Sequence, residues 1–253
     1  MTVKTKLLIA FTLLAAASLA CSTLETYLDQ PQAPVVPTNT PIPPVPTNTP
    51  LPPSSEPTTA SVESESPASD FGDALYADDF STPDSGWDQL TTNETFTDYF
   101  EDQYKIGVYS DGWMAWSNPG LDFSDVAIEV IITKVSGGDD VQFGVICRHQ
   151  DTENFYTLVI SADGYAAIRK RVQGSELTYV AEWTESPVIN QGNATNLLRA
   201  ECVGDRLSLF ANGVLLLEAH DADLPSGDVG LLAGTFSETS VEVLFDNFVV
   251  TAP

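Results

Sequence analysis

Catalysis by side chains needs particular residues at particular spacings, and this sequence is poor in them. A retaining glycosidase holds two carboxylates about 5 to 5.5 Å apart, which on a β-strand requires acids that project to the same face. The acids inside the apolar runs stand alone: Glu129 is followed by Val130 and Ile131, and Glu242 by Val243 and Leu244. The two histidines, His149 and His220, lie near no Gly-x-Ser-x-Gly elbow, so a hydrolytic triad lacks its parts and each histidine reads as a surface or turn residue. Cys147 and Cys202 are not spaced as zinc ligands, and no glycine-rich phosphate loop precedes a helix, so no nucleotide cofactor is expected. These absences favour a protein that binds rather than one that catalyses.

Positive charge is the scarcer and more informative resource. Ten Lys and Arg face 36 Asp and Glu, for a net charge of −26, which disfavours nucleic acid and anionic lipid headgroups as partners. Six of the basic residues, Arg148, Arg169, Lys170, Arg171, Arg199 and Arg206, fall between positions 148 and 206. Strand alternation puts Tyr165, Arg169 and Arg171 on one face, and with Arg148 and Arg199 they could form a polar patch on an exposed sheet. Such a patch suits a hydroxyl-rich or acidic glycan, with Tyr156, Tyr165, Trp113, Trp116 and Trp183 as candidate stacking platforms. The competing assignments are cross-strand ion pairs with Glu201, Glu176 and other acids, and core packing for each ring. Structural calcium is the one cofactor with candidate ligands. Asp78, Asp79 and Asp246 could supply its oxygens if the first and last strands meet.

The elements that must position these residues read as strands. From about Asp70, short β-branched and aromatic runs recur roughly every ten residues between Gly, Asn and Asp, the rhythm of an all-β, antiparallel two-sheet sandwich. The runs are Gln103 to Val108, Trp113 to Ser117, Val126 to Lys134, Val141 to Arg148, Phe155 to Ser161, Tyr165 to Val172, Leu177 to Trp183, Asn196 to Val203, Arg206 to Ala211, Val214 to Ala219, Gly227 to Thr235 and Val241 to Val250. Asn212-Gly213 is a strong hairpin signal, and with Asp163-Gly164 and Gly204-Asp205 it suggests a largely meandering sheet from Phe155 to Ala219. Alternation sends Leu198, Ala200 and Cys202 inward and Arg199 and Glu201 outward. It likewise sends Phe143, Val145 and Cys147 inward and Arg148 outward. Both cysteines then face the core, where a disulfide and two buried thiols are the alternatives.

The chain ahead of these strands has a different character. Lys4 and Lys6 precede an apolar run, Leu7 to Leu19, that is too short to span a bilayer and ends in small residues before Cys21, as a secretory signal does. Residues 22–70 are dominated by Pro, Thr, Ser and Asn and include a nine-residue unit occurring twice, Pro37 to Val45 and Pro46 to Ser54. Proline at this density favours an extended linker rising about 3.1 Å per residue. The expected organisation is therefore a signal segment (1–21), a disordered Pro/Thr-rich linker (22–70) and a β-sandwich domain (71–253).

Two resemblances sharpen this reading. Ala17-Ser18-Leu19-Ala20-Cys21 resembles the lipobox of bacterial lipoproteins, which implies lipidation of Cys21, a membrane partner through the lipid anchor, and an extracytoplasmic location at the cell surface or in the periplasm. The motifs Asp79-Phe80-Ser81, Ser85-Gly86-Trp87, Gly144-Val-Ile-Cys-Arg148, Arg206-Leu-Ser-Leu-Phe-Ala-Asn-Gly-Val214 and Phe245-Asp-Asn-Phe248 resemble the concanavalin A-like lectin/glucanase superfamily. Within it they look most like LamG-type jelly rolls and 3-keto-disaccharide hydrolase domains. That resemblance implies two stacked sheets, a concave face that often receives sugars, and pairing of the first and last strands. Three functions are open at this point: a non-catalytic carbohydrate-binding module for a glycan or cell-wall polysaccharide, a 3-keto-glycoside hydrolase-like enzyme, and a structural or protein-interaction domain of the envelope.

Overall fold

The computed structural model describes residues 74–253; the signal segment, Cys21 and the linker lie outside the described residues. Among the described residues there is no helix. The strands are β1 (Ala74–Asp78), β2 (Leu90–Thr91), β3 (Thr95–Phe100), β4 (Gln103–Val108), β5 (Met114–Ser117), β6 (Val126–Gly137), β7 (Val141–Asp151), β8 (Asn154–Ser161), β9 (Tyr165–Arg171), β10 (Thr178–Glu185), β11 (Thr195–Val203), β12 (Arg206–Ala211), β13 (Val214–His220), β14 (Asp228–Thr235) and β15 (Val241–Thr251). All pairings are antiparallel.

They form two sheets. One runs β13-β12-β11-β6-β15-β4-β3-β2, with β1 also paired to β15; the other runs β10-β9-β8-β7-β14-β5. The first and last strands meet as expected, with Asp78 opposite Phe248 and Ala77 opposite Val249. The anticipated single meander from Phe155 to Ala219 is instead two. The strands β7 to β10 zigzag in one sheet, and the chain then crosses over residues 186–194 before β11 to β13 zigzag in the other.

The core lies between the sheets and follows strand alternation. Val126, Ile128, Val130 and Ile132 of β6 and Leu198, Ala200 and Cys202 of β11 face Phe143, Val145 and Cys147 of β7 and Tyr156, Leu158 and Ile160 of β8. Because both cysteines point inward from opposing sheets, Cys147 and Cys202 form a disulfide, Cα to Cα 6.9 Å, that clasps β7 to β11. Asn212 and Gly213 carry φ values of 52° and 80°, the double positive φ of the tight hairpin between β12 and β13. The β3–β4 hairpin uses the same device at Glu101 and Asp102, with φ of 51° and 58°.

Candidate functional site

A sheet packed on one face only should be polar on the other, and the six-stranded sheet breaks this rule. On its outer face Ile146, Phe155, Val159, Ala167 and Leu232 form a second buried apolar cluster. Among the described residues no second layer covers them. The cover comes from large side chains of the edge strands and their loops, Met114, Trp116, Leu177 and Trp183, which pack against the cluster while remaining partly exposed. Phe155 lies at the centre, with the Trp116 ring 5.8 Å away on one side and the His149 ring 5.8 Å away on another.

Two arginines lie among these rings. Arg169 sits opposite Thr157 across the β8–β9 pair, and Arg171 opposite Phe155. Ala167 and Gly144 occupy the next rows of this face, and their small size lets the Arg169 side chain lie along the sheet until Nη2 donates to Gln142 Oε1. Its guanidinium also stands 5.5 Å from the centre of the Trp183 ring. That bond to Gln142 is the one hydrogen bond Arg169 makes among the described residues, out of five available donors. Arg171 makes one, to the Thr152 carbonyl at 3.4 Å, and lies 5.7 Å from the Phe155 ring. Arg169 is 5 % exposed, and burial pushes its guanidinium down to about 10. His149 is likewise held below the ordinary histidine range, by burial.

The polar accounting of this face is open. Among the described residues, four buried side-chain nitrogen or oxygen atoms lack a hydrogen-bond partner: His149 Nε2, Thr157 Oγ1, Arg169 Nε and Arg171 Nε. All four belong to residues around Phe155. Every other described Lys or Arg has a carboxylate within 4.0 Å, whereas Arg169 and Arg171 have none among the described residues.

These side chains line neighbouring hollows. A cleft of 360 Å³ is bounded by Trp113, Trp116, Gln142, Arg169, Arg171 and Leu177, with Glu176 and Phe236 at its margin. Trp183 meets Phe236 edge-on at 5.8 Å, and beyond that ridge lies a cleft of 280 Å³ walled by Tyr165, Tyr179 and Trp183. On the opposite side Trp113 and Trp116 also wall a larger hollow of 590 Å³ that extends to Leu90 and Thr97 of the other sheet.

The structure thus brings Trp113, Trp116, Trp183, Tyr165, Arg169 and Arg171 to one face, and removes three residues from the expected patch. Arg148 is 2 % exposed, because an irregularity after Cys147 and a φ of 54° turn it to the end of the sandwich. There its guanidinium donates to the carbonyls of Ser124, Leu224 and Gly204 and pairs with Asp125 at 3.5 Å. Tyr156 belongs to the inner core, its hydroxyl donating to Asp221 at 2.5 Å. Arg199 lies on the other sheet and pairs with Glu201, two positions on in the same strand, at 3.0 Å, whereas Arg206 pairs across strands with Glu201 and Glu218. His149 is a half-buried strand residue rather than a surface one. Gln142, Phe155, Thr157 and Phe236 complete the face without having been anticipated. The run Phe155-Tyr-Thr-Leu-Val-Ile160 is apolar on both faces, so alternation alone does not say which side meets the core.

Two of the carboxylates expected to hold calcium accept hydrogen bonds within the domain. Asp78 accepts from the Phe80 amide at 2.8 Å, the Trp87 indole at 2.9 Å, the Tyr76 hydroxyl and the Ser85 hydroxyl. Asp79 accepts from both the amide and the hydroxyl of Ser81. Among the described residues Asp78, Asp79 and Asp246 are not gathered into a group of three or more His, Cys, Asp or Glu that could hold a metal ion.

No family model matches the chain, and no curated protein matches it. Solved structures do match in fold. They include the carbohydrate-binding module CBM66 from Bacillus subtilis, with a TM-score of 0.53 and 22% identity over 66% of this chain and 96% of that one. A protein of unknown function with a galectin-like fold, also from Bacillus subtilis, aligns with a TM-score of 0.52 and 13% identity over 72% and 96% of the two chains. A GH16 protein of a mixed-linkage glucan locus from Bacteroides ovatus aligns with a TM-score of 0.50 and 11% identity over 70% and 99%. At these identities the likeness establishes the jelly-roll sandwich and nothing finer.

Proposed function

We propose that the sandwich is a non-catalytic carbohydrate-binding module whose ligand lies across the outer face of the six-stranded sheet. The observation that carries this reading is the union, on one surface, of one exposed and two partly exposed indole rings with arginines that have no ion-pair partner among the described residues. Sugar rings present apolar C–H faces to aromatic planes and hydroxyls to planar donors, and this surface offers both. The fold shared with a carbohydrate-binding module supports the reading by analogy only.

Glycoside hydrolysis needs paired carboxylates, and the cleft that holds Arg169 and Arg171 has a single acid, Glu176. In the neighbouring cleft Asp140 accepts from Ser237, and Asp163 from Ser161. This favours binding over the hydrolase alternative. The apolar run before Cys21 and the proline-rich linker support tethering of the module to a membrane through a lipidated Cys21, outside the cytoplasm.

The test is a glycan-array and titration experiment with the secreted domain and its variants. Trp183→Ala and Trp116→Ala are each expected to weaken binding about tenfold, the equivalent of about 1.4 kcal/mol of stacking. Binding that survives both substitutions unchanged would remove the face from consideration.

A further inference from the structure

We infer that the glycan recognised on this face carries a carboxylate, which docks on Arg169 and Arg171; the inference rests on the binding reading above and narrows its ligand class. The starting point is a contrast within the domain. Acids greatly outnumber bases in the chain, and Lys105, Lys134, Arg148, Lys170, Arg199 and Arg206 each take a carboxylate partner. Arg169 and Arg171 take none among the described residues, although they stand two positions apart on the same strand face and repel one another.

Their donors are also largely unused. Arg169 gives one hydrogen bond, to Gln142, and Arg171 gives one long bond, to the Thr152 carbonyl. Each keeps a buried Nε without an acceptor, and Thr157 Oγ1, buried beside Arg169, lacks a partner as well. Guanidinium groups match carboxylates through two parallel N–H···O bonds. A neutral sugar hydroxyl supplies an acceptor but no charge. A carboxylate supplies both, and its charge also offsets the repulsion between the two cations.

The acids near the site permit this. Of the acids around the face, Glu176 alone lines the cleft that holds Arg169 and Arg171; Asp140 and Asp163 line the neighbouring cleft, each beside a serine donor, and Asp88 and Glu94 line the hollow beyond Trp113 and Trp116. Physiological salt screens exposed charges beyond roughly 8 Å, so the domain's more distant acids oppose a seated anion little. The ligand class is therefore a uronic-acid or similarly carboxylated saccharide, with its ring stacked against Trp183 or Trp116.

The decisive experiment titrates the domain with matched pairs: oligogalacturonate against its methyl ester, and a glucuronate-bearing oligosaccharide against its glucose counterpart. The expected result is binding of each acid at least tenfold tighter than its neutral partner, weakened by added salt. Arg169→Met and Arg171→Met should each abolish that difference, and Glu176→Gln should widen it in favour of the acid. Equal affinity for acid and neutral partners would overturn the carboxylate inference and leave the carbohydrate reading intact. Binding to neither member of any pair, with the domain folded as judged by its thermal transition, would overturn both.

Discussion

Arg148 and Arg169 are both buried arginines of the six-stranded sheet, and the account assigns them opposite roles. Replacing each in turn by Met, which keeps the length and apolar stem, separates those roles by stability. Arg148→Met deprives the carbonyls of Ser124, Leu224 and Gly204 of their donor and Asp125 of its cation. Losing one partner of such a buried arrangement costs about 3–5 kcal/mol, a large fraction of a domain's stability. Arg169→Met removes a charge that the fold accommodates poorly. Its guanidinium falls from an ordinary 12.5 to about 10, which corresponds to about 3 kcal/mol of unfavourable charging. For a base depressed in the folded state this cost is present in full at every pH below about 10, so it applies at pH 7. Against it stand the lost bond to Gln142, about 1–3 kcal/mol, and the contact with Trp183, about 0.5–1 kcal/mol. The net change for Arg169→Met is thus within about 1.5 kcal/mol of zero, and the thermal midpoint should move by no more than about 6 °C. Urea and thermal unfolding of both variants provide the assay. A loss above about 2 kcal/mol for Arg169→Met would make it a structural residue like Arg148 and refute its assignment to a ligand.

Further predictions concern the clasp, the histidine and the Asp78 knot. Breaking the disulfide with Cys147→Ser and Cys202→Ser together should cost about 4 kcal/mol, from the chain entropy of a 55-residue separation, read as the shift in urea midpoint between oxidised wild type and variant. His149 is held neutral by burial, so the unfolded chain takes up its proton first as pH falls through the ordinary histidine range. Stability should accordingly decline between pH 7 and pH 5.5, and His149→Gln should flatten that part of the profile; a profile unchanged by the substitution would count against the buried ring. Asp78→Ala should cost about 3 kcal/mol, because it strands the donors of Phe80 and Trp87. Addition of EDTA should leave the wild-type thermal midpoint in place, whereas a drop of several degrees would restore a metal to this corner.

The fold was legible in the sequence where side chains alternate and turns carry the right residues. Leu198 to Cys202 and Asn212-Gly213 show both signals, and the structure follows them. The hairpin joining β3 to β4 was hidden because its positive-φ positions are Glu101 and Asp102, which no turn rule singles out. The crossing between sheets at residues 186–194 was hidden as well, since hairpin signals fix neighbours within a sheet but not the sheet to which a hairpin belongs. Among site residues, Arg169, Arg171 and Tyr165 were recoverable from alternation on one strand. Arg148 was misplaced because an irregularity after Cys147 breaks the two-residue period on which its outward assignment rested. Gln142 follows from the alternation that sends Phe143 inward, whereas Phe236 reaches the face from the loop after β14, which strand periodicity does not encode.

The four tryptophans make the most direct test of the central claim, because they divide three to one. Trp113, Trp116 and Trp183 line the outer face, while Trp87 is sealed in the core with its indole bonded to Asp78. In a two-dimensional amide spectrum recorded while the tightest-binding array glycan is titrated in, indole N–H signals on the outer face should shift in a saturable manner, and that of Trp87 should stay fixed. Saturable binding that leaves all three outer indoles unmoved would place the ligand elsewhere and contradict the account.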